Sequence, residues 1–416
     1  NVTVQVFDDN NEEITANTIS IVNSTSVSVD SPSSSSGRVV VTSSDKNAGF
    51  RVKTFNDLPD GPSNLGRMIY VTDEEKFYFY NDTGFEWTDD FTSTPFSQNI
   101  LYAWGVNDTG ELGTGDTTDR SSPVTVAGGI TNWSSIATHI GGLHSLGLTD
   151  TGVLYAWGLG FSGRLGTGDT TDRSSPVTVV GGITNWSSVA SGFDHSLGLT
   201  DTGVLYAWGD NGNGELGVND TVDRSSPVTV AGGITDWSAI VAGGTHSLGV
   251  TDTGVLYVWG KGNFGRLGTG DTTDRSSPVT VTGGLSNWSS ISAGDSFGLG
   301  VTDTGELYAW GNGASGRLGT GNEIDRSSPV TVAGGITNWS SVVSGGSHSL
   351  GLTDTGVLYA WGSSISETTP GGKLGTNDIT DKSSPVTVAG GITSWVSAAA
   401  GEYHSLGLIT IEKGFN

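Results

Sequence analysis

The chain has 416 residues, with 66 Gly, 13 Trp, no Cys and a single Met, Met68. Its formal net charge is −25, from 43 acidic and 18 basic residues. Such a balance repels nucleic-acid phosphates and anionic membrane surfaces, whose affinity is supplied by Lys and Arg. The lack of Cys excludes disulfides, thiolate nucleophiles and Cys-ligated zinc. No apolar run approaches the ~18 residues of a membrane helix.

Residues 1–45 alternate Val, Ile, Thr and Ser, as in Thr18–Val22 and Val27–Asp30, with a break at Ser31–Gly37. They read as a β-rich anchoring or oligomerising segment. A second module, 46–95, contains a predicted three-stranded meander at Met68–Thr72, Phe77–Tyr80 and Phe85–Thr88. The remainder, 96–416, is repetitive. The string YAWG or YVWG sets Trp at 104, 157, 208, 259, 310 and 361, and an NWSS-like string sets Trp at 133, 186, 237, 288, 339 and 395.

Each copy divides into four short strands. In one copy they are His195–Leu199, Val204–Trp208, Pro227–Val230 and a strand through Trp237 to Val241. Four such strands in about 51 residues make one propeller blade. The array begins with an outgoing strand, Ile100–Trp104, and ends with an incoming one, His404–Leu408. Pairing of these ends would seal the ring and remove its open edges.

The strings HSLGLTDTGVLYAWG and GxLGTGDTTDRSSP resemble the RCC1 repeat family, over about three quarters of the chain. The resemblance implies an all-β, six-bladed propeller of four-stranded blades, although family members often have seven. Small-GTPase exchange, the founding members' activity, is disfavoured here: no projecting wedge occurs beyond the insertion Ser363–Gly372, and the charge has the wrong sign. Residues 66–87, GRMIYVTDEEKFYFYNDTGFEW, resemble a small module of bacteriophage tail and fibre proteins. The resemblance implies a virion structural protein, with virion proteins and a host-surface receptor or glycan as partners and homo-oligomerisation as an option. A bacterial surface or secreted protein is the alternative.

Alternating strand direction sends the loops after each WG and the segments entering each HS strand to one face. These are the places where copies differ, so the candidate binding residues are Asn107, Phe161, Phe193, Asp210, Lys261, Phe264, Asn312, Glu402 and Tyr403. No catalytic residue, metal ligand or cofactor is expected. The chain has no phosphate-cradling GxxxxGK[ST] and no GxSxG elbow, and six near-copies supply no asymmetric constellation. Five His recur at one repeat position, His144, His195, His246, His348 and His404, with Phe297 in the sixth slot. They read as a repeated structural hydrogen bond, and His139 reads as isolated. Asp pairs such as Asp116 and Asp119 read as partners of a neighbouring Arg such as Arg120 rather than calcium ligands.

Overall fold

The computed structural model describes residues 99–365 and 371–410, together with the backbone of seven earlier strands between Val2 and Phe79. It separates into two compact units, 1–97 and 98–416. In the first unit, Val2–Asp8 pairs antiparallel with Glu13–Ile14 and Gly37–Ser43. Thr18–Asn23 pairs with Ser26–Asp30, and Met68–Val71 with Lys76–Phe79. The expected third meander strand, Phe85–Thr88, and the boundary at 45/46 lie outside the described residues.

The second unit holds five four-stranded antiparallel sheets in succession. The second of these runs Trp186–Ser191, His195–Thr200, Leu205–Gly209 and Arg224–Thr229, each hydrogen-bonded to the next. The sequence-based grouping is therefore shifted by one strand: the Trp-led strand opens the blade that follows it. Trp-led strands of successive blades neighbour one another, which makes them innermost. The outermost strand carries RSSP, or KSSP in the last complete blade, and Pro is tolerated there because that edge has no further strand to receive its missing N–H.

Apolar residues are buried between blades as much as within them. Leu197, Leu199, Leu205 and Ala207 of the second blade share one cluster with Trp237, Ile240 and Trp259 of the third. Within a blade, the Trp186 ring lies 5.9 Å from that of Trp208. Gly198 on the strand between must lack a side chain, since a Cβ there would sit 2.5 Å from Trp186. Gly166 shows the same restriction between blades. Its φ is +67°, and a Cβ would lie 2.8 Å from the Trp208 indole nitrogen of the next blade.

The expected ring closure is not present. Among the described residues, Tyr102–Gly105 pairs only with Arg120–Thr125, and Trp395–Ala400 only with Ser405–Ile409. The described propeller thus has five complete blades flanked by two half-sheets. Trp104 is 61% exposed, against 3% for Trp157 and 0% for Trp208. Sequence periodicity identified the two halves as parts of one blade, but periodicity carries no information on whether they meet.

Two glycines separate steric contact from backbone strain. Gly182 has φ +69° with nothing within 4 Å of a built Cβ. Gly182→Ala is expected to cost about 1 kcal/mol, from the left-handed conformation alone. Gly166→Ala adds overpacking against Trp208 and is expected to cost about 2–4 kcal/mol in total. Urea melts of the two variants check this; equal losses would contradict the close-approach account.

Candidate functional site

The polar groups repeated in every copy face the neighbouring blade. In the GxLG string, the carbonyl of residue x accepts from the next blade. The Arg164 carbonyl takes the Ser196 hydroxyl at 2.9 Å and the Trp208 indole N–H at 2.9 Å. Glu111 does the same for Ser145 and Trp157, and Arg317 for Ser349 and Trp361. The His144 Nε2 lies 2.9 Å from the Ser196 Oγ. Because that hydroxyl gives its one proton to the Arg164 carbonyl, the imidazole donates through Nε2–H. His195–Ser247 and His348–Ser405 repeat the contact, both at 2.9 Å.

The interfaces on both sides of the fourth complete blade depart from the pattern. Gly298 stands where a Ser would face His246, whose Nε2 is buried without a partner, and Phe297 stands where a His would face Ser349; the indole nitrogens of Trp259 and Trp310 are also buried without partners. Desolvation pushes His144, His195 and His348 down to about 3 and holds His246 well below the ordinary imidazole range. These four imidazoles are thus neutral structural groups at physiological pH.

The repeated acids are also engaged within their loops. Asp116, Asp169, Asp220 and Asp271 bridge the Arg four residues on at 2.5–2.7 Å. Asp119, Asp172, Asp223 and Asp274 accept from a backbone N–H after WG at 2.7–2.9 Å. Among the described residues no group of three or more His, Cys, Asp or Glu is arranged to hold a metal ion.

Backbone hydrogen bonds join the two variable loop sets on one face. Leu159 N–H donates to Leu143 O, Asp210 to Asp194, Lys261 to Thr245 and Asn312 to Ser296, at 2.8–3.0 Å. The opposite face carries the uniform turns, tied by bonds such as Asp201 N–H to Asn185 O. The candidate residues differ in what they offer on the variable face. Phe161, Phe264 and Tyr403 are 64%, 44% and 56% exposed, and Glu402 is exposed as well. Phe264 also holds φ +59°, a left-handed conformation unusual for a bulky residue. Asp210, Lys261 and Asn312 are half-buried; Asp210 accepts from Gly212 N–H, and Asn312 from Ala314 N–H. Burial, then the Asp223 charge, raises the Asp210 carboxyl above its usual range.

Asn107 is a correction. It is 0% exposed, its amide donates to the Asp116 and Thr118 carbonyls, and its Oδ1 accepts from Leu112 N–H. It organises its loop and presents nothing outward. Phe193 is half-buried: it packs edge-on to His139 at 4.7 Å, and Cβ atoms built on Gly141 and Gly244 would each fall 2.9 Å from its ring. His139 is accordingly not isolated. Burial lowers its pKa, while the Asp194 and Glu402 charges act in the opposite sense.

Sequence reasoning missed a set of charges around these entering segments. Arg164 meets Asp194 at 2.6 Å and donates to the Phe193 carbonyl. Arg266 donates to the Asp295 carbonyl and the Thr245 hydroxyl, and Lys373 to the Ser347 hydroxyl. Their common position, x of GxLG, alternates among Glu, Arg and Lys inside an otherwise fixed string, a signal available in the sequence. Asp295 and Glu402 flank Gly346, and burial, then the Glu402 charge, pushes the Asp295 carboxyl up to about 6.

A raised carboxyl pKa means that the folded state binds the proton more tightly than the unfolded one. That contribution to stability is complete below pH ~4 and lost as pH rises through about 6. Asp295→Asn is therefore expected to stabilise the protein by about 1–2 kcal/mol at pH 7.5 and by little at pH 4. Thermal melts at both pH values test this; a gain confined to pH 4 would contradict it.

The RCC1-like domain family model matches residues 96–407. The ultraviolet-B receptor UVR8 of Arabidopsis thaliana is 35% identical over 300 residues, covering 70% of this chain and 66% of the receptor, just under two thirds of its length. Among solved structures, human WBSCR16 superposes with TM-score 0.64 at 24% identity, over 74% of this chain and 82% of that one. Prp20p of Saccharomyces cerevisiae, whose structure was described with its binding to Gsp1p and histones, gives 0.54 at 18%, over 76% and 93%. These two likenesses concern the fold.

Proposed function

Because the chain belongs to the RCC1-like domain family, we propose that its propeller is a protein-binding module working without catalysis, and that its specificity lies on the face bearing the post-WG loops and entering segments. The observation that carries this is the division of labour in the repeat. The uniform Ser, His, Trp and Asp groups are used between blades and within loops, while the groups that differ between copies gather on one face. Exposed aromatics such as Phe161 and Phe264 are suited to act as anchors there. Binding of protein partners is also what is described for Prp20p.

The setting we propose is a bacteriophage virion, where the N-terminal unit attaches the chain and the propeller meets other virion proteins, a host-surface receptor or a glycan. The support is the resemblance of residues 66–87 to a phage tail and fibre module. Within it, Met68–Val71 and Lys76–Phe79 pair as a hairpin, Met68 opposite Phe79. A bacterial surface or secreted binding protein is the alternative setting. The acidic charge of −25 argues against nucleic acid as the ligand in either.

Two measurements test this reading. Proteomics of purified particles is expected to find the chain in stoichiometric amounts; absence would sink the virion setting. The double variant Phe161→Ser, Phe264→Ser is expected to keep its stability within about 0.5 kcal/mol and to lose about tenfold or more in affinity for host cells or partner. Unchanged affinity would place recognition elsewhere.

A further inference from the structure

One copy carries two acids that no other copy has at the same places. In the second blade Asp194 immediately precedes the His-led strand and Asp210 immediately follows WG. The Asp210 N–H donates to the Asp194 carbonyl at 2.8 Å, which sets the two residues side by side. The same backbone bond joins Leu159 to Leu143, Lys261 to Thr245, Asn312 to Ser296 and Ser363 to Ser347 in the other blades, with no acid among them. The recurring acids, such as Asp169 and Asp172, are engaged within their own loops. Asp194 and Asp210 belong instead to the variable loop sets, and they break the near-symmetry of the face at one place.

An exposed aromatic ring adjoins the pair. The post-WG loop of the first blade packs over the second, since a Cβ on Gly163 would fall 2.4 Å from the Ser225 backbone. That loop brings Phe161, 64% exposed, and the Ser162 hydroxyl, 3.5 Å from Asp210 Oδ1. The buried Arg164 guanidinium lies 5.8 Å from the Phe161 ring centroid and 2.6 Å from Asp194 Oδ1, and it donates to the Phe161 and Phe193 carbonyls. Its charge is outnumbered, because Asp194, Asp210 and Asp172 all act on it. The Asp194 side chain remains 50% exposed. Asp210 is half-buried, yet it accepts from Gly212 N–H at 3.4 Å and from the Ser162 hydroxyl at 3.5 Å, both longer than a strong hydrogen bond. Beside Phe264 the corresponding residues of the next blade are Ser296 and Asn312, so that ring has no such carboxylate pair.

We infer that Phe161, Asp194 and Asp210 form a subsite for one basic side chain, Lys or Arg, projecting from the protein partner. This rests on the reading of the variable face as the binding surface and adds the chemistry recognised at one point on it. The aliphatic stem of the side chain lies on the open face of Phe161, and its cationic head reaches the two carboxylates. The added positive charge supplies what Arg164 alone does not, and it completes the weakly bonded Asp210. An apolar or acidic side chain in the same place would desolvate Asp210 without a counter-charge. Among the described residues no third His, Cys, Asp or Glu joins the pair to make a metal site, so the fitting cation is an organic one.

The test titrates the full chain with fluorescein-labelled hexalysine, read by anisotropy at about 0.15 M salt, where exposed charges more than ~8 Å apart are largely screened. The double variant Asp194→Asn, Asp210→Asn is expected to bind the peptide about fivefold or more weakly. Asp236→Asn with Asp252→Asn removes the same charge from the opposite face, where Asp252 N–H bonds the Asp236 carbonyl. That variant is expected to match the wild type within about twofold. Phe161→Leu keeps an apolar surface without a ring and is expected to weaken binding about twofold or more. Thermal melts check that each variant is folded. Asp210→Asn alone leaves the Arg164–Asp194 pair intact and is expected to weaken binding about twofold or more. Undetectable binding by the wild type, unchanged affinity in the Asp194/Asp210 variant, or equal losses in both double variants would overturn the inference. Each of these outcomes is distinct from failure of the binding-face reading, which Phe264→Ser, outside this subsite, reports on host cells or partner.

Discussion

One backbone carbonyl per repeat holds this propeller together. Residue x of GxLG turns its C=O towards the next blade, where a Ser hydroxyl meets it at Glu111, Arg164, Glu215, Arg317 and Lys373, joined by a Trp indole at Glu111, Arg164 and Arg317. A His from the carbonyl's own blade donates to the same Ser, so that the hydroxyl is clamped between two groups of its neighbour. A buried carbonyl without a partner would cost about 1–3 kcal/mol. Each blade therefore depends on the next for satisfaction of its polar groups as well as for burial of its Leu and Trp side chains. That dependence explains why single blades recur with so little variation.

The same constraint explains where variation is permitted. Changing the Ser, the His or the second Gly of GxLG disturbs two blades at once. Gly298 shows the consequence: standing where a Ser would be, it leaves the His246 Nε2 of the preceding blade buried without a partner. The post-WG loops are held through backbone groups and one Asp carboxylate, so their side chains can change without loosening the ring. Recognition is accordingly assigned to Phe161, Phe264 and their neighbours rather than to the more numerous His and Asp.

Much of this was legible in the residues. The Trp spacing showed the repeat, alternation and turn residues within one copy showed four strands to a blade, and the position of the His just before a strand pointed to a structural hydrogen bond. The alternation rule put both variable loop sets on one face. Three features were not legible. Grouping strands into blades requires knowing which hairpin partner lies across the sheet, so the Trp-led strand was assigned to the wrong blade. Asn107 looked variable and polar, but its burial follows from a loop that folds back through Asp116 and Thr118. The Arg164, Arg266 and Lys373 contacts arise between blades, where sequence separation hides them.

The most direct test of the central claim is an NMR pH titration of the imidazoles. With folded values of about 3 for three of them, neutrality of these His residues contributes stability that is complete above pH ~6.5 and lost as pH falls towards 3. The account expects His144, His195, His246 and His348 to stay neutral in the folded protein and to take up protons only as the propeller unfolds in acid. An imidazole of this set titrating near 6.5 while the propeller remains folded would contradict it.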